Sequence, residues 1–229
     1  ELTLMREAGK ICTAAMMRAI DKMRPGVPQN EVIAEIYHAQ TMGVPGAGGD
    51  YTCLCPLLQV GEGTTTPHLT WTDEPLPNDV LAVIEMAGAR RRYQVPNTRT
   101  FYLGKPPQKV VDLASAVIEG GDAALAAAKP GVTGEGVEAI WQAVLRKHGL
   151  KKESRVGYSV GLNYPPDWGE RTVSLRPGEK TVLQEGMCFH FQSGLWLDDM
   201  GAAISESFTV TPSGGERLCA TPRELIVID

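Results

Sequence analysis

The sequence predicts an α+β chain of two related halves. Each half would lay helices over a curved antiparallel sheet, and the two would pack about a pseudo-twofold axis. Two observations carry this. Arg24-Pro25-Gly26-Val27 recurs as Lys129-Pro130-Gly131-Val132, and at the same offset of 105 residues Val32 matches Val137 and Ala34 matches Ala139. Around both turns the order of elements is also the same: long helix, Pro-Gly turn, second helix, strands. The spacing is far longer than the ~20–50 residues of a solenoid repeat. The chain, 1–229, therefore reads as one domain whose site lies between two sheets and draws groups from each half.

Leu4, Met5, Ala8, Ile11, Cys12, Ala15, Met16, Ala19, Ile20 and Met23 recur at helical spacing, which predicts a first amphipathic helix stopped by Pro25-Gly26. Asn30 is placed to cap a second helix over 31–42. Residues 51–60 are β-like, and a turn-rich loop, Gly61 to His68, follows. Two antiparallel strands are predicted over 80–103, parted near Ala87-Gly88-Ala89 and the three arginines Arg90 to Arg92. In the second half, helices are predicted over 108–128 and, capped by Thr133, over 134–148. Strands are expected over 155–162, 181–196, 203–211 and 225–227, with Gly and Pro between them.

The net charge is -5, with acids and bases interspersed. A nucleic-acid partner needs a clustered basic face, so none is expected. No apolar run approaches the ~18 residues of a membrane span, so no membrane partner is expected either. Five cysteines, an odd number without a paired CxxC set, point to reduced thiols and a cytoplasmic setting. The chain begins with Glu1, not Met, which suggests a piece of something longer.

The candidates for chemistry are polar residues inside apolar runs. Glu85 sits among Leu81, Val83, Ile84 and Met86, where an unpaired carboxylate is costly. It is either a site residue or a buried partner of an arginine such as Arg92 or Arg99. His190 follows Glu85 at the repeat offset and shares a strand face with Gln192. Glu206 is the central acid of Ile204-Ser205-Glu206-Ser207-Phe208. Tyr158 lies between Gly157 and Gly161, which permit close approach of a ligand or another backbone. His68 ends the turn-rich loop, and Tyr93 opens the second central strand. Two acids, a histidine and a tyrosine can run hydrolysis, or can form a buried hydrogen-bond network with no chemistry.

At these residues the whole chain resembles the catalytic domain of the creatinase and aminopeptidase, or pita-bread, family. Within it, GTTTPHLTWTDEP, YLGKPPQ, GYSVGLNYPPDWGERTVSLRPG and GMCFHFQSGLWLDD are similar to the bacterial ectoine hydrolase branch. The resemblance implies a small-molecule substrate, a homodimer, and an N-terminal domain in full-length relatives that is absent here. Metallopeptidases of this fold hold two metals with two Asp, one His and two Glu. By the resemblance, Glu85 stands at the first aspartate, Pro96 at the second, Tyr158 at the histidine, Gln192 at the first glutamate and Glu206 at the last. Proline offers no side-chain ligand, and Tyr and Gln are poor substitutes at a divalent site. The expectation is therefore no metal and no other cofactor. Glu85, His190 and Glu206 are expected to be catalytic. His68, Tyr93, Tyr158 and Gln192 are expected to bind substrate. The rival readings are a metal-dependent Xaa-Pro peptidase, a creatinase-like C–N hydrolase and a solute-binding module without chemistry.

Overall fold

The computed structural model describes residues 1–228. Helix α1, Leu2–Lys22, buries Met5, Ala8, Cys12, Ala15, Met16 and Ala19, the stripe its spacing predicts. Helix α2, Gln29–Met42, starts earlier than expected. Its N-cap is Pro28, and Asn30 lies exposed in the first turn. Proline already holds the chain at the entry geometry, φ -60° and ψ 139°, so no side-chain cap forms. In the second half α3 spans Gln108–Ala127 and α4 spans Gly134–Lys147. There Thr133 does cap α4, its hydroxyl accepting from Gly136 N at 3.2 Å.

The repeat is visible in the backbone hydrogen bonds of the two Pro-Gly turns. Gly26 N donates to Leu76 O at 2.8 Å and Leu76 N to Val27 O at 2.9 Å; Gly131 N donates to Leu183 O at 3.0 Å and Leu183 N to Val132 O at 2.8 Å. The sheets repeat as well. Strands β1 (Leu57–Val60), β2 (Val80–Arg90) and β3 (Tyr93–Leu103) pair antiparallel in that order. In the second sheet β4 (Gly157–Val160), β6 (Cys188–Phe191) and β9 (Glu206–Thr211) do the same. An edge strand, β5 (Gly169–Leu175), flanks β4, and β10 (Gly214–Arg217) flanks β9. Strands β7 (Gly194–Trp196) and β8 (Gly201–Ala203) form a separate ribbon. The last strand, β11 (Ile226–Ile228), joins β3 in parallel.

Several sequence expectations need correction. The strand expected over 51–60 shrinks to Leu57–Val60, because Pro56 precedes it and Cys53 N is taken by the Gln94 side chain at 3.2 Å. The run 181–196 divides into β6 and β7, and β5 was not expected. β2 does not break at Gly88. A Cβ there would lie 2.1 Å from Ala8 O and 2.4 Å from Cys12 N, so the glycine lets α1 lie directly on the strand. The turn comes later, at Arg91 (φ 47°) and Arg92 (φ 73°), the two positive φ values that a two-residue hairpin loop of the favoured twist requires.

Strand alternation then sorts the two faces. Ala82, Ile84 and Met86 enter the core under α1 and α2, leaving Val83 and Glu85 on the inner face. Phe189, Phe191, Phe208 and Val210 enter the core of α3 and α4, leaving His190, Ser205 and Ser207 inside. Among the described residues, no helix is long and apolar enough to cross a membrane.

Candidate active site

Glu85 is 3% exposed and stands opposite Leu57 on one side and Thr98 on the other. Neither arginine considered as its partner takes that role. Arg92 pairs with Asp50, and Arg99 pairs with Glu206. Among the described residues Glu85 Oε1 has no hydrogen-bond partner. Burial raises its pKa to about 7, an effect that the charge of Lys152 partly offsets. A carboxyl group poised near neutrality suits a general base.

His190 is fully buried in a chain of hydrogen bonds. Trp168 Nε1 donates to the Tyr158 hydroxyl at 2.7 Å, and that hydroxyl lies 2.9 Å from His190 Nδ1. His190 Nε2 lies 2.7 Å from Ser205 Oγ, which donates to Thr98 Oγ1 at 2.9 Å. Ser205 gives its one proton to Thr98, so it accepts from His190 Nε2–H. In a neutral imidazole Nδ1 then accepts from the Tyr158 hydroxyl, which itself accepts from the Trp168 indole. Burial agrees, pulling the His190 pKa down to about 3. The Tyr158 phenol is raised above its ordinary range, by burial first and by the charge of Glu85 second, so it keeps its proton.

Tyr158 connects this buried chain to a cavity of about 250 Å³. His68, Arg155, Tyr158, Asp167, Trp168, Arg171 and Gln192 line the cavity, together with Leu54 and Pro166. His68, Tyr158 and Gln192 are thus brought together at the cavity; neither Glu85 nor His190 lines it, and His190 stands behind Tyr158. The glycine before Tyr158 serves the protein rather than a ligand: a Cβ on Gly157 would lie 2.7 Å from His190 O.

Two residues of the expected site lie elsewhere. Tyr93 is at the hairpin end of β3, bridged to Leu162; burial first, and then the carboxylates of Glu1 and Glu170, raise its pKa. It does not line the cavity. Glu206 shares the outer face of β9 with Phe208 and Val210, because alternation turns it away from Ser205 and Ser207. There Arg99 Nη2 reaches its Oε1 at 2.6 Å, while Arg217 Nε lies 3.1 Å and Arg223 Nε 3.4 Å from the carboxylate. The residue that meets His190 is its neighbour Ser205.

Sequence reasoning missed Lys152, Arg155 and Ser205. Lys152 falls in Lys151-Lys152-Glu153, which reads as a solvated charge run, yet it is 5% exposed. Only the apolar neighbours Leu150 and Val156 hinted that this short loop runs inward. Arg155 lies against the ring of Tyr158, its guanidinium carbon 4.3 Å from the centroid. Among the described residues, no three His, Cys, Asp or Glu side chains come together as a set that could hold a metal ion. On the inner face beside Glu85, Thr98 and Ser205 offer hydroxyls, and the neutral His190 imidazole is already bonded through both nitrogens. These residues do not fit a dinuclear divalent site.

Comparison with known proteins agrees with this architecture. The chain is 47% identical over its whole length to an uncharacterized hydrolase/peptidase of Sinorhizobium fredii, of which it covers 58%. It is 41% identical to the ectoine hydrolase of Halomonas elongata, a match covering 99% of this chain and 58% of that protein. The prolidase of Pyrococcus horikoshii superposes with a TM-score of 0.88 at 27% identity, covering 99% of this chain and 63% of that one. The chain thus spans about three fifths of the length of the curated relatives it matches. The model of Metallopeptidase family M24 matches residues 3–212, and the chain belongs to that family.

Proposed function

We propose that this site hydrolyses a small cyclic amidine, with ectoine as substrate, and that it does so without a metal. The observation that carries the proposal is Glu85, a buried carboxyl group with a free oxygen and a pKa near neutrality, set among donors that do not suit a metal. The likeness to ectoine hydrolase supports the choice of substrate. Size supports it too. Clefts for drug-sized ligands run to ~300–1,000 Å³, and the cavity here is about 250 Å³.

The amidine carbon lies between two nitrogens and is electrophilic when the amidine is protonated. Glu85 would take a proton from a water that adds to that carbon, or would itself attack it, the covalent bond to Glu85 then being cleaved by water. Breaking one ring C–N bond leaves an N-acetylated 2,4-diaminobutyrate, and the departing nitrogen gains a proton. Tyr158, held by Trp168 and His190, would orient the substrate and pass protons along the chain. His190 acts through Tyr158 and does not itself reach the cavity. A homodimer remains part of the proposal, from the family resemblance alone.

Ectoine also carries a carboxylate, and Arg155 is placed to meet it at the cavity wall. Among the described residues its one hydrogen bond is a long one, 3.5 Å from Nη1 to Ser174 Oγ. A charge-assisted hydrogen bond contributes ~1.5–3 kcal/mol. Arg155→Met is therefore expected to raise KM for ectoine ~10–100-fold while changing kcat little. A changed kcat with unchanged KM would place Arg155 in the chemistry instead. The proposal itself is tested by incubating the full-length protein with ectoine, creatine and a Xaa-Pro dipeptide. Turnover of ectoine alone is expected, and turnover of the dipeptide alone would refute it.

A further inference from the structure

A second cavity, of about 140 Å³, lies between α2 and the segment 50–55. Its walls include Tyr37, Gln40, Asp50, Tyr51, Thr52 and Leu54. The edge of the first sheet explains its position. β1 pairs with β2 only as far as Glu85, so the β2 carbonyls beyond that point need other donors. Gln40 Nε2 donates to Ala87 O at 2.7 Å, and Asp50 N donates to Ala89 O at 3.1 Å. These two bonds seat α2 and the segment next to each other on β2, and the cavity is the space between them.

The oxygens of this cavity are acceptors in want of a donor. Gln40 is 3% exposed. Ala87 O can only accept, so the Gln40 amide nitrogen faces it and Oε1 is turned away. Among the described residues Gln40 Oε1 has no hydrogen-bond partner, which is costly for a buried carbonyl. Thr52 Oγ1 gives its proton to Leu54 O at 2.6 Å, so toward the cavity it too can only accept. Asp50 Oδ1 accepts from Tyr51 N at 3.0 Å and is paired with Arg92, whose Nε donates to Oδ2 at 3.0 Å. A carboxylate has about four acceptor sites, so Oδ2 keeps one. Arg92 does not line the cavity; its guanidinium carbon lies 3.3 Å from the centroid of the Tyr51 ring.

We infer that this cavity binds the primary ammonium group of a small amine. Its three N–H donors would meet Gln40 Oε1, Thr52 Oγ1 and Asp50 Oδ2, one donor to each acceptor. Its alkyl chain would lie against Leu54 and the rings of Tyr37 and Tyr51, whose faces also attract a cation. The space is many times the ~10–15 Å³ that one water needs, so it takes an ammonium group together with a short chain. Leu54 is also a wall of the larger cavity, which puts the amine one side chain away from the candidate active site. The inference goes beyond the proposed function and does not depend on it.

The test titrates ethylammonium chloride into the full-length protein and follows the line width of the ethyl methyl resonance. Saturable binding is expected. Ethanol, with the same chain and no charge, and tetramethylammonium, with the charge and no N–H, should not bind at this site. Gln40→Met and Thr52→Val should each raise Kd for ethylammonium at least ~10-fold, the loss expected for one charge-assisted hydrogen bond. Gln40→Met also strands Ala87 O, so a thermal melt accompanies each variant. If Gln40→Met does not fold, Thr52→Val carries the test. Absence of saturable binding, or a Kd that the folded variants leave unchanged, overturns the site. Tetramethylammonium binding as tightly as ethylammonium overturns recognition through three N–H donors. None of these readouts involves turnover of ectoine, so they stand whatever substrate the larger cavity takes.

Discussion

Glu85→Gln is expected to lower kcat by at least ~100-fold, the lower end for loss of a general base. The swap keeps the shape of the side chain and its place on the inner face of β2, and removes only the nucleophile and base. The fold should survive. Glu85 is 3% exposed and has an unpartnered oxygen, so its charge is costly where it lies. Removing it strands no partner, because burial already brings Lys152 down to about 7 and it can shed its proton. A thermal midpoint equal to or above that of the wild-type protein is expected beside the lost turnover. Near-normal kcat with a large loss of stability would make Glu85 a structural residue.

Glu206→Gln should show the opposite pattern. Arg99, fully buried, directs its guanidinium at Glu206, and Arg217 and Arg223 share the same carboxylate. Loss of one partner from a buried ion pair costs ~3–5 kcal/mol, because the remaining charge is left uncompensated. Here three guanidiniums would remain around a neutral amide. For a chain of this size each kcal/mol moves Tm by ~2–4 °C, so a fall of roughly 10 °C is expected in a thermal melt. Well below that temperature kcat on ectoine should be unchanged. An unshifted melt with lost turnover would return Glu206 to the catalytic groups.

The contrast between these two acids shows what was legible in the sequence. Both are single acids in apolar runs, and nothing local tells them apart. Glu85 could be placed because the repeat aligned it with His190, and the repeat survives as matching hydrogen bonds at Gly26 and Gly131. Glu206 was misplaced by one position of strand register, and a shift of one residue reverses the face. The arginines that claim it are distant in sequence, at 99, 217 and 223. Pairings of that kind cannot be read from a single strand. Gly88 is a similar case. As a letter it signals a break, and only the approach of α1 shows that it permits contact. Lys152 was hidden because a charge run usually faces water. The helices and the two central strands were legible because their apolar periods are long. Strands β5, β7 and β8 are set by tertiary pairing.

The claim that most needs testing is ring opening without a metal. The direct measurement is the rate of ectoine consumption by the full-length protein after exhaustive treatment with EDTA, with elemental analysis of the same sample. The account predicts an unchanged rate and no stoichiometric Mn, Co or Zn. Two equivalents of bound metal, with activity lost on chelation and restored on adding the metal back, would contradict it.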